Sequence, residues 1–312
     1  MRKLLVLIMI FFVASGFTKQ DIISKVDIKV LQSIREDLSY IKQAKKDKWA
    51  LFEAIKNNDY KEVKKLINQG YNVNQRDWAE NRNTPLMWAA IRGYKEICLL
   101  LIDNGARVND SDNYGWTALM FAISKNQAKT VNLLIEKGAD IKQRSATLET
   151  VLGIAAQKGA IETMQVLLNK KANLEYKGGF NYTPLMYAVE ANQAGSVQFL
   201  LSKKAKVNAL DEAGQTPLMI AAINGHYKIL QILIANYAKI NLQSYHGKTA
   251  LMCAAQAGAY DSVVYLLSDD RKEKAKINMQ DIYGKTALDY ALDNGHLKTA
   301  EYLKSKILQA GQ

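Results

Sequence analysis

Apolar and polar positions along the chain follow a pattern that returns at a fixed interval. A Thr followed two residues later by Leu recurs at Thr84, Thr117, Thr150, Thr183, Thr216, Thr249 and Thr286, in five steps of 33 residues and a last step of 37. Short apolar runs follow, as in Pro85-Leu86-Met87, Ala118-Leu119-Met120, Pro184-Leu185-Met186, Pro217-Leu218-Met219 and Ala250-Leu251-Met252. Thr predicts a helix N-cap, because its hydroxyl accepts from a backbone N–H that the first helical turn leaves unpaired. Pro85, Pro184 and Pro217 come next, where a missing N–H costs nothing. Small pairs such as Ala89-Ala90, Ala155-Ala156, Ala221-Ala222 and Ala254-Ala255 let helices approach closely, and Gly93, Gly159, Gly225, Gly258 and Gly295 end this first helix. A second, more apolar helix follows, for example over 97–102, 131–135 and 263–267. Turn signals separate the units: Asp112-Asn113-Tyr114-Gly115, Asp211-Glu212-Ala213-Gly214, Ser244-Tyr245-His246-Gly247 and Asp281-Ile282-Tyr283-Gly284. Trp49-Ala50-Leu51-Phe52 is a degenerate copy 35 residues before Thr84. The pattern therefore predicts an all-α array of about eight helix–turn–helix units over residues 49–308, atypical at both ends, with 309–312 as a tail.

Two different patterns precede the array. Arg2 and Lys3 stand before an unbroken apolar run from Leu4 to Val13, followed by Ala14-Ser15-Gly16. As helix that run rises about 15 Å, half of a bilayer's hydrocarbon core, so it is too short to span. A basic start, a short apolar core and small residues form a secretory signal over residues 1–16, which places the mature protein outside the cytoplasm, in a periplasm or beyond. From Ile23, apolar residues recur at Val26, Val30, Ile34, Leu38 and Ile41, one face of a helix. Residues 17–48 thus read as an amphipathic helix that covers the first unit's open flank, ending in a polar hinge from Lys42 to Lys48. Self-association through that helix is the lesser reading, since the heptad pattern is short, and a monomer is expected.

Composition then narrows the chemistry. With 48% hydrophobic and 23% charged residues the chain is globular rather than disordered. Two Cys exclude a disulfide scaffold, and three His leave little material for metal or acid–base work. The net charge is +12, or +10 without residues 1–16, but Lys and Arg alternate with acids along the sequence as on a solvated surface. No nucleic-acid partner is expected on that ground. No later segment approaches the eighteen apolar residues of a transmembrane span.

With these residues in view, the chain resembles the ankyrin repeat family over roughly residues 47–308. The resemblance implies antiparallel helix pairs stacked as a solenoid, joined by loops or β-hairpins that project at about a right angle. It also implies a non-enzymatic protein-binding scaffold, without cofactor, whose partner lies against hairpin tips and the exposed side of the first helices. On this chain the variable tip positions are Trp78, Tyr114, Trp116, Phe180, Tyr182, Tyr245, His246 and Tyr283. Large aromatics at exposed positions bury much area at small entropic cost on binding. A second stripe, Trp88, Phe121, Ile154, Tyr187, Ile220, Cys253 and Tyr290, is expected mainly to pack in the core.

Departures from the family pattern sharpen the reading. Met87, Met120, Met186, Met219 and Met252 stand where the family usually has His. One Met per layer at about 8–10 Å cannot converge on a soft metal such as copper(I), so packing is expected. The left-handed Gly that ends the second helix is kept at Gly70, Gly105 and Gly138, but Lys171, Lys204, Tyr237 and Lys274 replace it. Each replacement costs on the order of 1 kcal/mol, so these units should end differently or be looser, although Lys there suits the helix dipole. The 37-residue step implies a longer loop over 268–276. His226 and His296 follow Gly at equivalent places and read as structural, whereas His246 is a tip residue. Cys98 and Cys253, about five layers apart, are expected to be buried free thiols. Three function classes compete: an extracytoplasmic scaffold, a released effector acting on another cell's proteins, and an electrostatic adaptor to an anionic surface.

Overall fold

The computed structural model describes residues 49–77, 81–268 and 273–310. The signal at 1–16, the amphipathic helix at 17–48, Trp78 and the centre of the long loop lie outside them. The chain divides into two compact units, Met1–Ala54 and Ile55–Gln312. Of the first, the described stretch is helical, with the rings of Trp49 and Phe52 5.4 Å apart.

In the second unit, α1 (Tyr60–Asn68) is followed by seven helix pairs: α2 (Pro85–Arg92) with α3 (Lys95–Asp103), α4 (Ala118–Ser124) with α5 (Ala128–Glu136), α6 (Val151–Gln157) with α7 (Ile161–Asn169), α8 (Pro184–Glu190) with α9 (Ala194–Ser202), α10 (Pro217–Ile223) with α11 (Tyr227–Ala235), α12 (Ala250–Gln256) with α13 (Tyr260–Leu266), and α14 (Ala287–Asp293) with α15 (Leu297–Ala310). Each first helix packs on its own second helix and on the first helix of the next pair, while second helices form a parallel row behind. Among the described residues there are no strands, only isolated antiparallel bridges at Ser111–Thr117 and Arg144–Thr150, so the expected β-hairpins are turns rather than ribbons.

The expected caps are present in every pair. The hydroxyl of Thr84, Thr117, Thr150, Thr183, Thr216, Thr249 or Thr286 accepts the N–H three residues on, at 3.0–3.4 Å. In four units the bond is reciprocated by sulfur: the N–H of Thr84, Thr183, Thr216 and Thr249 donates to the Met Sδ at 3.3–3.5 Å. The Met stripe is buried as expected, and it also satisfies a backbone donor that packing alone would leave orphaned. In the last pair a carboxylate, Asp289, takes this role.

The helix ends differ from expectation. Lys171, Lys204 and Tyr237 keep the left-handed backbone of the glycines they replace, with φ of 65°, 71° and 67°. The reason is the next residue: Ala172, Ala205 and Ala238 each donate a backbone N–H to the carbonyl of Leu167, Leu200 and Leu233, the same closure that Ala106 and Ala139 make. These units end as the others do and carry the strain. The long loop keeps the closure too, through Ala275 N–H to Leu266 O at 2.9 Å, although Lys274 does not adopt positive φ.

Beyond the helix ends, a polar ladder with one missing rung ties successive layers together. The side chains of Asn74, Asn109, Asn208 and Asn241 each donate to one backbone carbonyl of the following layer (Gly105, Gly138, Tyr237, Lys274). Each also accepts one N–H there (Arg107, Asp140, Lys239, Lys276). Glu175 makes only the accepting half, to Lys206 N–H at 2.8 Å. At the corresponding rung stands Lys142, which has no acceptor to offer. Lys142→Asn is expected to raise the urea midpoint without changing the slope, a gain of about 1 kcal/mol from two partly exposed bonds. No gain would mean that the rungs carry no net stability.

Candidate functional site

The turns between pairs form one continuous ridge. In the best-formed of them the buried carboxylate of Asp112, Asp211 or Asp281 accepts two backbone N–H groups, from Tyr114 and Trp116, Ala213 and Gln215, and Tyr283 and Lys285. Burial opposes the charge on Asp281, yet bonds from the Tyr290 hydroxyl and these N–H groups hold its carboxyl below the ordinary value. Neighbouring tips are then joined backbone to backbone: Asn113 N–H to Asn81 O, Ala146 to Tyr114, Gly179 to Leu148, Glu212 to Phe180, Tyr245 to Ala213 and Ile282 to His246, at 2.8–3.2 Å. The ridge is therefore a fixed rail whose side chains stand outward at intervals of one layer.

Tyr114, Phe180, Tyr245, His246 and Tyr283 are exposed on this rail, the four aromatics by 53%, 77%, 67% and 72% among Tyr114, Phe180, Tyr245 and Tyr283 respectively. Trp116 and Tyr182 are not part of it. Both are half-buried at the base of their turns, with rings 5.3 Å from Phe121 and 5.5 Å from Tyr187. Burial, with Glu190 and Asp211 near, pushes the Tyr182 hydroxyl up to about 12, so it stays neutral. Trp78 lies outside the described residues.

Two apolar tip residues escaped the sequence reading, Leu148 and Ile282, exposed by 51% and 61%. Ile282 belongs to a turn already marked, so its period could have exposed it. Leu148 sits 33 residues after Gly115 and before Asn181, in a slot where every occupant has positive φ, from Arg82 to Gly284. Its φ is 61°, and that of Phe180, one place before the slot in the next turn, is 53°. The Phe180 ring meets that of Tyr182 edge-on at 6.4 Å, whereas Leu148 holds a large apolar side chain toward solvent on a left-handed backbone that disfavours it.

The second stripe is mostly core: Ile154, Tyr187, Ile220, Cys253 and Tyr290 are buried. Trp88 and Phe121 are half-buried and, with Asn83, Met87, Ile91 and Arg92, line a shallow cleft of about 220 Å³ at the foot of the ridge. Trp88 donates its indole N–H to Asp77, and the Tyr290 hydroxyl does the same for Asp281, so this stripe also fastens the turns. His226 and His296 donate across layers to the carbonyls of Glu190 and Gln256, a structural role. Burial, reinforced by Glu96, pushes the Cys98 thiol up to about 12, and burial pushes that of Cys253 up to about 11; neither is a nucleophile at neutral pH. Among the described residues, no group of three or more His, Cys, Asp or Glu is placed to hold a metal ion, and no helix is long and apolar enough to cross a membrane.

Known proteins carry the same architecture. The family described as "Ankyrin repeats (3 copies)" matches residues 51–145, 146–211, 208–281 and 241–310. The ankyrin repeat domain of Bcl-3, a member of the IkappaB family, is similar with a TM-score of 0.58 and 28% identity, over 66% of this chain and 93% of that one. The human ASB11 ankyrin repeat domain has a TM-score of 0.58 and 31% identity, over 64% of this chain and 89% of that one. Glycerophosphocholine phosphodiesterase gde1 of Schizosaccharomyces pombe is 41% identical over 70 residues, 22% of this chain but 6% of that protein, so the chain spans a small part of that relative. The matches fall on the units that the threonine period marks out, and together they run through nearly all of the array: the chain belongs to the ankyrin repeat family.

Proposed function

We propose that the chain is a non-enzymatic scaffold working outside the cytoplasm, which binds a partner protein along the tip ridge and the cleft at its foot. Ankyrin repeats generally serve as protein-interaction scaffolds. The observation that carries the reading here is Leu148 and Phe180, exposed apolar side chains kept on left-handed backbone in line with Tyr114, Tyr245 and Tyr283. Backbone strain under exposed apolar side chains supports a functional reading, Leu148 most of all, since Phe180 also meets the Tyr182 ring edge-on. The signal over residues 1–16 supports the location.

A photo-crosslinking residue at position 114, used in intact cells, should capture a partner in the exported fraction. Tyr114→Ser with Phe180→Ser should weaken that partner's binding to the purified chain about 100-fold, because two truncated anchors at ~1–2 kcal/mol each are lost, with the helical CD spectrum unchanged. Unchanged affinity would remove the ridge from the interface, and capture confined to cytoplasmic proteins would refute the location. Trp116→Ala and Tyr182→Ala are poorer probes, since each also strips a packed ring from the fold.

A further inference from the structure

Positive charge that alternates with negative charge along the sequence gathers, in the folded array, on one edge of its C-terminal half. That edge is formed by the second-helix ends of α7, α9, α11 and α13. At the left-handed position and two residues after it stand Gly70 and Asn72, Gly105 and Arg107, and Gly138 and Asp140 in the early layers, a mixed set. In the later layers the same places hold Lys171 and Asn173, Lys204 and Lys206, Tyr237 and Lys239, and, without the positive φ, Lys274 and Lys276. The bonds of Glu175, Asn208 and Asn241 hold these segments in register, layer on layer, about 10 Å apart. All six lysines are exposed, as is Tyr237, by 89%. Among the described residues, acids bonded along this edge include Glu175, whose carboxylate accepts the Lys206 N–H, and Glu273, which accepts from Asn241.

The helix dipole accounts for a lysine at a helix end. It does not account for Lys206, Lys239 and Lys276 beyond the helices, nor for Tyr237, an uncharged ring in the middle of the strip on strained backbone (φ 67°) where glycine would be free of strain. A tyrosine almost wholly in water among lysines is the arrangement that suits a membrane interface: the ring rests at headgroup level and the ammonium groups meet lipid phosphates.

We propose that this edge docks on an anionic lipid surface, with Tyr237 entering the headgroup layer and Lys204, Lys206, Lys239 and Lys276 flanking it. It lies on the second-helix row and is separate from the aromatic tips, so the array can hold a membrane and a protein partner through different residues. A soluble polyanion would meet the same lysines, but it would make no use of the tyrosine.

The test is sedimentation of the full chain with phosphatidylcholine vesicles, with and without about one-third phosphatidylglycerol, read as the ratio of the two affinities. The apolar run from Leu4 to Val13 is common to every variant and cancels in the comparison. The ratio is expected to favour anionic vesicles and to collapse between 0.1 and 1 M salt, where the screening length falls from about 10 Å to about 3 Å. Lys204→Gln with Lys239→Gln should lower it about 25-fold, roughly fivefold per charge. Tyr237→Gly should lower affinity for anionic vesicles several-fold while stability holds or rises, since glycine relieves the backbone. A ratio untouched by the lysine changes, or vesicle affinity untouched by Tyr237→Gly, would overturn the proposal. Poly-glutamate bound as tightly as the vesicles, and indifferent to Tyr237→Gly, would make the strip a site for acidic polypeptide instead and would equally overturn it.

Discussion

Gly153→Met, which writes the repeat's own residue back into the unit that lacks it, is expected to destabilise the protein by about 2 kcal/mol. Five sister units have Met three residues after the capping Thr, and a helix normally prefers Met to Gly by about 1 kcal/mol. In this unit the space is already taken. A Cβ at Gly153 would lie 2.8 and 3.0 Å from the Tyr187 ring of the next layer and 2.8 Å from Thr150 Oγ1. The same tyrosine fills the slot to its far end, where a Cβ at Gly178 would meet its hydroxyl at 2.5 Å. Overpacking a tight core costs about 1–3 kcal/mol, and the rest of the Met side chain would add to the overlap. Tyr187→Ile, copying Ile154 and Ile220, should therefore rescue Gly153→Met, giving a favourable coupling of more than 1 kcal/mol in a double-mutant cycle of urea unfolding. If Gly153→Met alone stabilised the chain, the two residues would not share a slot.

Two tip glycines with the same backbone should respond unequally to alanine. Gly247 and Gly284 both have φ +75°, so alanine at either incurs the left-handed penalty of about 1 kcal/mol. At Gly284 nothing lies within 4 Å of an added Cβ, whereas at Gly247 it would sit 2.8 Å from Ile282 N and 2.9 Å from Asp281 Cα. Those atoms are backbone of the next tip, joined to His246 by hydrogen bond, and cannot step aside. Gly247→Ala is expected to cost about 3 kcal/mol and Gly284→Ala about 1, measured by chemical unfolding. Equal losses would mean that adjoining tips are not in firm contact.

The units were legible because each carries its own local instructions. Thr at the cap, Pro in the first turn and small residues on the packing face act within a few positions of one another, so they survive in a linear reading. The membership of the tip site was legible only as positions. Trp116 and Tyr182 share the period of exposed residues, yet each turns toward a ring on the first helix of its own unit, Phe121 or Tyr187, a pairing visible only once the turn is folded onto the helix. Leu148 was hidden for the opposite reason, since it occupies a glycine's place and so resembles a lapse in the repeat rather than a contact. The asparagine ladder and the lysine edge are relations between layers. Residues about 33 apart become neighbours, and the alternation of charge along the chain conceals which sign faces which way.

The backbone bonds between successive tips bear on how such a surface can change over time. Because Tyr114, Leu148, Phe180, Ala213 and His246 are tied to the following turn through main-chain carbonyls, their side chains are not what holds the rail in place. On the reading proposed above, new specificities can be written there one letter at a time, away from the packed tip glycines, without disturbing the frame. Adding or deleting a single residue in a turn would break the registry with the turn beside it, so variants of this protein should diverge in the lettering of the ridge and agree in its length.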